Sequence, residues 1–326
     1  MKIDVLCLRP EADFQRVGAL PPASLKIAYR APSDADMTEL MKQARALVIP
    51  AVGPKLPVEL FEETSVKFVQ VTGAGLDRLD LPLLKQRGIT VANVSGGSNE
   101  AVAEYAVTCA SVLLRRFSWA DAEIRNGNYR DFRARMLADS LLGLDGLTVG
   151  VVGFGTIGVA VATAFYKRGC SILFYDPAPR DPRAGEAIGA KASSLEQLLQ
   201  SVNVISLHVP LLPQTTGFIG KKELGMMKPG VVLIQASRGG IVDEAALAEA
   251  LQIGRLSGAA VDVYSAEPPS ADNPLLALKG EAAQRILFSP HIAGVTRQST
   301  TFLCRAAWNN VERALTGNEA PRDVVT

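Results

Sequence analysis

Cysteine and histidine are scarce in this chain of 326 residues, which carries four of the first and two of the second. Cys7, Cys109, Cys170 and Cys304 are scattered, with no Cys-x-x-Cys pair. They read as small buried hydrophobes in a reducing compartment, and no metal is expected. Charge of one sign is also missing. Lys and Arg number 34 against 33 Asp and Glu, for a net charge of +1, and no block of like charge stands out. That balance excludes the electrostatic footprint of a nucleic-acid or membrane-surface binder. No apolar run approaches the length of a membrane span. The opening MKIDVLCLRP is strand-like, too short and polar for a signal peptide, so a cytoplasmic protein is expected. What remains is a chain long enough for two domains.

Near the middle stands TVGVVGFGTIG, residues 148–158. The apolar run Val149–Val152 feeds into Gly153-Phe154-Gly155-Thr156-Ile157-Gly158, and a helical segment follows. Strand, glycine turn and helix N-terminus is the order that a dinucleotide site needs. Gly153 permits the tight turn, Gly155 lets backbone approach a pyrophosphate, and Gly158 lets helix lie close to strand. Unpaired amides at a positive helix end then meet the phosphates. A second run, Ser171–Tyr175, ends in Asp176, roughly 20 residues beyond the fingerprint, where a carboxylate would accept from the adenosine ribose. Asp176 would repel a 2′-phosphate and so favour NAD over NADP, although Arg180 and Arg183 lie nearby. The plainer role for Asp176 is to open a turn before Pro177.

The pattern repeats. Ser194-Leu195-Glu196-Gln197 has the form of a capping box. Apolar runs at 202–207, 231–235, 257–263 and 285–288 read as further strands, with a helix at 243–252. Six runs with helices between them predict a parallel sheet covered on both faces. Ligands of such sheets bind at the carboxyl ends of the strands. There the sequence delivers Arg238, Glu267 and His291, with His208 as a rival imidazole. A histidine can donate the proton that a ketone oxygen needs after hydride arrives, and a glutamate beside it would hold the ring and balance its charge. An arginine fork matches a carboxylate. Reduction of a 2-keto acid, or oxidation of the 2-hydroxy acid, would use all three.

The strings SRGGIVDEAALAEAL, GAAVDVYSAEPP, NPL and SPHIAG, with HVPLLPQTTGFIG and VVGFGTIG, resemble the D-isomer-specific 2-hydroxyacid dehydrogenase family. VTGAGLDRLDLPLLKQRGITVANVSG and NEAVAEYAV are similar to its substrate-domain signatures, and the resemblance spans essentially the whole chain. It implies an NAD-dependent enzyme of the phosphoglycerate, glycerate or glyoxylate reductase kind, with Arg238, Glu267 and His291 as its catalytic set. It also implies cofactor contacts at Thr156, Ile157, Asp176, Val209, Ala236, Asp262 and Gly294, with His208 on the cofactor side. The backbone of Gly73-Ala74-Gly75 would bind the substrate carboxylate. Three places depart from the family pattern. Gln235 stands where Asn is usual, Ile49-Pro50-Ala51-Val52 replaces a more polar stretch that usually carries an arginine or serine, and Val94-Ser95-Gly96-Gly97 replaces Pro-Gly. Arg78 is a candidate for receiving a substrate phosphate. Corepressors of the C-terminal-binding-protein type share this pattern and form an alternative, an NAD-binding interaction module. Formate dehydrogenases pair their histidine with Gln, so Glu267 speaks against them.

The first hundred residues carry a similar rhythm without the fingerprint. Runs at 3–8, 25–29, 46–49, 66–71 and 89–92 read as strands, and Ser98-Asn99 would cap a long helix, 100–116, whose apolar positions recur at helical spacing. After His291 too few residues remain for a domain of their own, and they include a helical stretch at 300–315. The expected organisation is a Rossmann doubly wound parallel sheet, 99–291, inserted into a smaller flavodoxin-like α/β domain for substrate, 1–98 plus 292–326. Two crossings would suit a hinge that excludes water. The arm 117–147 reads as the least regular stretch, and the resemblance implies that it contributes to a homodimer interface.

Overall fold

The computed structural model describes residues 3–326. The chain forms two compact units: one runs up to Ser98 and resumes at Val295–Thr326, and the other is Asn99–Gly294.

The first unit holds five parallel strands: β1 (Val5–Cys7), β2 (Ile27–Tyr29), β3 (Ala46–Ile49), β4 (Phe68–Val71) and β5 (Thr90–Ala92), in the spatial order β2-β1-β3-β4-β5. β1, β3 and β4 are buried along their whole length, as befits a sheet covered on both faces. On one face Leu6, Leu47, Val69 and Val91 pack with Met41 and Leu84. On the other, Val5, Val48 and Phe68 pack with Phe14 and with Cys304, Trp308 and Val311 of the helix Arg297–Thr316. The tail thus completes the core of this unit. Its last residues also add to the edge of the sheet, where Val324 bridges Ala92 in the antiparallel sense.

The second unit holds seven parallel strands: β6 (Thr148–Val152), β7 (Ser171–Tyr175), β8 (Lys191–Ala192), β9 (Val204–Leu207), β10 (Val231–Gln235), β11 (Leu256–Val261) and β12 (Ile286–Phe288). Their order is β12-β11-β10-β9-β6-β7-β8. The chain winds outward from β6 to β8, then crosses to β9 and winds the other way, which puts the switch point between β6 and β9. The helices Asn99–Leu114 and Thr156–Tyr166 cover one face with Val102, Ala106, Val161 and Phe165. The other face is covered by helices carrying Leu198, Leu224, Leu247 and Leu251.

The sequence reading anticipates six of these strands and misses β8. Two exposed residues, a lysine and an alanine, carry no apolar run to detect. The capping box at Ser194 and Gln197 forms reciprocally and starts the helix Leu195–Ser201. Asn99 does not cap. It is the first residue of its helix, and its side-chain oxygen is buried without a hydrogen bond. The arm is more regular than its sequence suggests. It forms the helices Phe117–Arg125 and Tyr129–Ala138, stacked through Trp119 and Phe132 at 5.4 Å between ring centroids. Their periodicity is obscured because Phe117, Ile124, Tyr129 and Leu137 lie exposed.

Candidate active site

The carboxyl ends of β6, β7, β9, β10, β11 and β12 form one rim of the second unit, because these strands are all parallel. Every expected cofactor or catalytic residue of this unit follows one of them. Gly153 leaves β6 with φ +93°, a conformation that side-chained residues rarely adopt. A Cβ on it would lie 2.6 Å from the backbone of His208, so the glycine turn abuts the end of β9 directly. Gly158, in the first turn of the helix Thr156–Tyr166, sits so close to the strand that a Cβ would meet the Gly153 carbonyl oxygen at 2.0 Å. Thr156 and Ile157 begin that helix, whose first amides have no intrahelical acceptor. Above Gly155 a Cβ would meet only the Arg180 guanidinium, at 3.9 Å. The turn is therefore a cradle of bare backbone at a helix N-terminus, the form of an anion site.

Asp176 performs its plainer role and more. Its Oδ1 accepts from the Ala178 amide at 2.9 Å, which shapes the turn after β7. Its Oδ2 accepts from the Phe154 amide within the glycine turn at 2.6 Å and from Arg180 Nε at 2.6 Å. Burial works to raise this carboxyl, but the bonds from Arg180, Phe154 and Ala178 outweigh it and hold the group below its ordinary value. His208 follows β9, with Val209 after it. Its Nε2 lies 2.7 Å from Ser206 Oγ, no carboxylate among the described residues pairs with it, and desolvation pushes the imidazole down to about 3.

Beyond β11 and β12 the chain is organised by Asp262, which is 1% exposed. Its carboxylate accepts from Ser289 Oγ at 2.6 Å and from the amides of Ile292 and Ala293, each at 2.8 Å, while its carbonyl accepts from the His291 amide at 2.8 Å. This grip holds His291 at φ +56°, unusual for a residue with a side chain. His291 Nδ1 then meets Glu267 Oε2 at 2.8 Å. The other glutamate oxygen accepts from the Tyr264 amide at 3.1 Å, so the carboxylate is itself oriented. An imidazole tied at Nδ1 presents Nε2 for proton exchange. Arg238 follows β10 and Ala236, and its Nη1 donates to the Ser237 carbonyl at 2.7 Å. Gly294 closes the unit.

In the first unit, Gly73-Ala74-Gly75 follows β4, and a Cβ on Gly73 would crowd Ala51 at 2.8 Å. Arg78 is not positioned as an open phosphate receiver. It is 3% exposed and donates to the carbonyls of Pro50 at 3.1 Å and Pro54 at 2.9 Å. Its charge thus fixes the loop that departs from the family pattern. Sequence reasoning missed several supports: Ser289, Tyr264, Ser237 and Ser206. Each is a common residue type within three of a flagged one, and only the fold gives it a partner.

Residues 107–293 match the family described as "D-isomer specific 2-hydroxyacid dehydrogenase, NAD binding domain". The chain is 40% identical over 235 residues to a D-3-phosphoglycerate dehydrogenase of Archaeoglobus fulgidus, covering 72% of this chain but only 42% of that protein's length. It is 34% identical over 304 residues to a glyoxylate reductase of Thermococcus litoralis, covering 91% of this chain and 89% of that one. Among solved structures, a D-lactate dehydrogenase from Aquifex aeolicus complexed with NAD and lactic acid superposes with a TM-score of 0.80 at 28% identity, covering 96% of each chain.

His208 makes a prediction about acid stability. Unfolded, its imidazole takes up a proton near 6.5; folded, it resists until about 3. In that window the unfolded state binds the extra proton, so this contribution favours folding fully above pH 6.5 and fades as pH falls toward 3. Urea midpoints measured across this range should therefore drop less steeply for His208→Gln than for the wild type. An unchanged slope would assign the acid sensitivity elsewhere.

Proposed function

From the premise that the chain belongs to the D-isomer specific 2-hydroxyacid dehydrogenase family, we propose that it is an NAD-dependent oxidoreductase interconverting a 2-keto acid and its D-2-hydroxy acid. The single observation that supports this most is the Glu267–His291 pair at 2.8 Å on the rim that also carries the glycine turn. NAD, when bound, supplies the hydride in one direction and accepts it in the other. The residues present fit it: a cradle without side chains at Gly153, Gly155 and Gly158, the helix amides at Thr156 and Ile157, and Asp176 at the end of β7. His208, Val209, Ala236, Asp262 and Gly294 line the remaining strand ends. In reduction, the keto oxygen would take its proton from His291 Nε2. Glu267 orients the ring and balances the charge while the proton is held. Arg238 binds the substrate carboxylate or carbonyl, assisted by the backbone of Gly73-Ala74-Gly75. In this reading the second unit serves the nucleotide and the first serves the substrate.

We place an unphosphorylated acid in that role. The four cations that follow β1 to β4 are already engaged: Arg9 with Asp13, Arg30 with Asp36, Lys55 with Asp80, and Arg78 with loop carbonyls. The same loops after β3 and β4 carry Ala51, Val52, Ala74 and Leu76, which would suit a small apolar substituent. Asp176 should select NAD over NADP, and Arg180 must turn away from it to admit the ribose. The exposed Phe117, Tyr129 and Leu137 of the arm are assigned to a homodimer interface. No described helix is long and apolar enough to cross a membrane, and we assign the enzyme to the cytoplasm.

Three outcomes test these assignments. A panel of 2-keto acids should oxidise NADH, unphosphorylated compounds ahead of phosphorylated ones, and His291→Ala should cost about 10²–10⁴-fold. Turnover of no keto acid, despite NADH binding, overturns the reaction; a phosphorylated favourite overturns only the substrate class. Asp176→Ala should narrow the ratio of kcat/KM for NADH over NADPH, and a wild type that already prefers NADPH contradicts the role given to Asp176. Light scattering should give twice the chain mass in solution, and Leu137→Arg should halve it; a wild-type monomer removes the arm's assignment.

A further inference from the structure

Gln235, the departure from the family's usual Asn, is the last residue of β10 and is 3% exposed. Both heavy atoms of its amide are used. Nε2 donates to the Arg238 carbonyl at 2.9 Å, and Oε1 accepts from Ser237 Oγ at 2.7 Å. The Ser237 amide lies farther from the same oxygen, at 3.4 Å. The main chain of Gln235 reaches the other way, its carbonyl accepting from the Asp262 amide at 2.9 Å. One buried residue therefore joins the loop that carries Arg238 to the residue that holds His291. Farther along, the loop is held where the Gly240 carbonyl accepts from the Gly217 amide at 2.7 Å, and the Arg238 side chain itself donates to the Ser237 carbonyl within it.

We infer that Gln235 is a positioning residue, whose buried amide sets the place of Arg238 by holding that residue's own carbonyl. The inference rests on the reading of Arg238 given above. A buried amide is costly unless bonded, and here its bonds close the turn that leads to Arg238. Removing the amide takes a donor from the Arg238 carbonyl and an acceptor from the Ser237 hydroxyl. A side chain one methylene shorter pulls the amide back from an acceptor that now lies at ordinary hydrogen-bond distance. The extra reach of glutamine is thus matched to the shape of this loop.

The test is a double-mutant cycle on the full enzyme, with Gln235→Leu and Arg238→Lys measured singly and together, and NADH affinity followed by fluorescence. Displacing a substrate-binding group by a fraction of an ångström to an ångström should cost about 10–100-fold in kcat/KM for the keto acid, and NADH affinity should stay within about twofold. In the Arg238→Lys background the loss from Gln235→Leu should shrink to less than about threefold, because the two changes act through one group. A purely structural role would give the same loss in both backgrounds, and that result overturns the inference. So does a Gln235→Leu enzyme as active as wild type while Arg238→Lys is impaired. If Arg238→Lys leaves the rate intact, the reading of Arg238 itself falls and the inference falls with it. Should Gln235→Leu fail to fold, Gln235→Asn, which keeps an amide of shorter reach, is carried through the same cycle and must show the same coupling.

Discussion

The buried carboxylate of Asp262 is the contact on which the candidate site depends. Placing an ion at 1% exposure costs several kcal/mol in lost hydration. That cost is offset only by donors, and Asp262 has three within 2.8 Å: the Ser289 hydroxyl and the amides of Ile292 and Ala293. Hydrogen bonds to a charged acceptor contribute about 1.5–3 kcal/mol each, so three suffice to hold both the ion and the loop. The loop is then over-determined, which is the condition for keeping His291 in a left-handed backbone conformation. A histidine so fixed has little freedom to swing away from Glu267. The pair at 2.8 Å is therefore a consequence of the carboxylate one strand away.

The same economy appears at the glycine turn. Gly153 needs positive φ, Gly158 needs the absence of a Cβ, and Asp176 binds the Phe154 amide between them. The acid at the end of β7 thus shapes the turn at the end of β6. Its ion pair with Arg180 adds a competition. The guanidinium that neutralises Asp176 stands over the cradle, so a ligand entering there exchanges one partner of the carboxylate for another.

The fold was legible in the sequence wherever apolar runs met turn residues. Strands at 46–49, 171–175 and 231–235 coincide with the observed bounds, because each is a mostly apolar run with turn residues close by. β8 was illegible because an exposed two-residue edge strand needs no hydrophobic pattern. The arm's helices were hidden because their outward apolar residues break the expected periodicity. Among candidate residues, strand-end position singled out His291, Glu267 and Arg238, which the fold puts on one rim. What it could not find was support. Ser289 and Tyr264 act through hydrogen bonds to groups 25 or more residues away, and only the three-dimensional pairing of β11 with β12 brings them together. Arg78 shows the converse: a cation beside a glycine loop suggests a phosphate, but burial against two carbonyls commits it to the backbone.

The two histidines show how environment divides one chemistry. Both end or follow an apolar strand on the same rim, and sequence position alone leaves either free to be the acid. His208 sits behind the glycine turn, desolvated, with a serine hydroxyl as its hydrogen-bond partner. A hydroxyl can satisfy a neutral ring but cannot balance a full charge, so burial keeps this imidazole neutral across the physiological range. It can accept or donate a hydrogen bond there without carrying a proton in or out. His291 lies nearer solvent and has a carboxylate in contact, oriented by a backbone amide on its other oxygen. Of the two, only His291 has a carboxylate in contact, and that difference follows from which strand end supplies a glutamate.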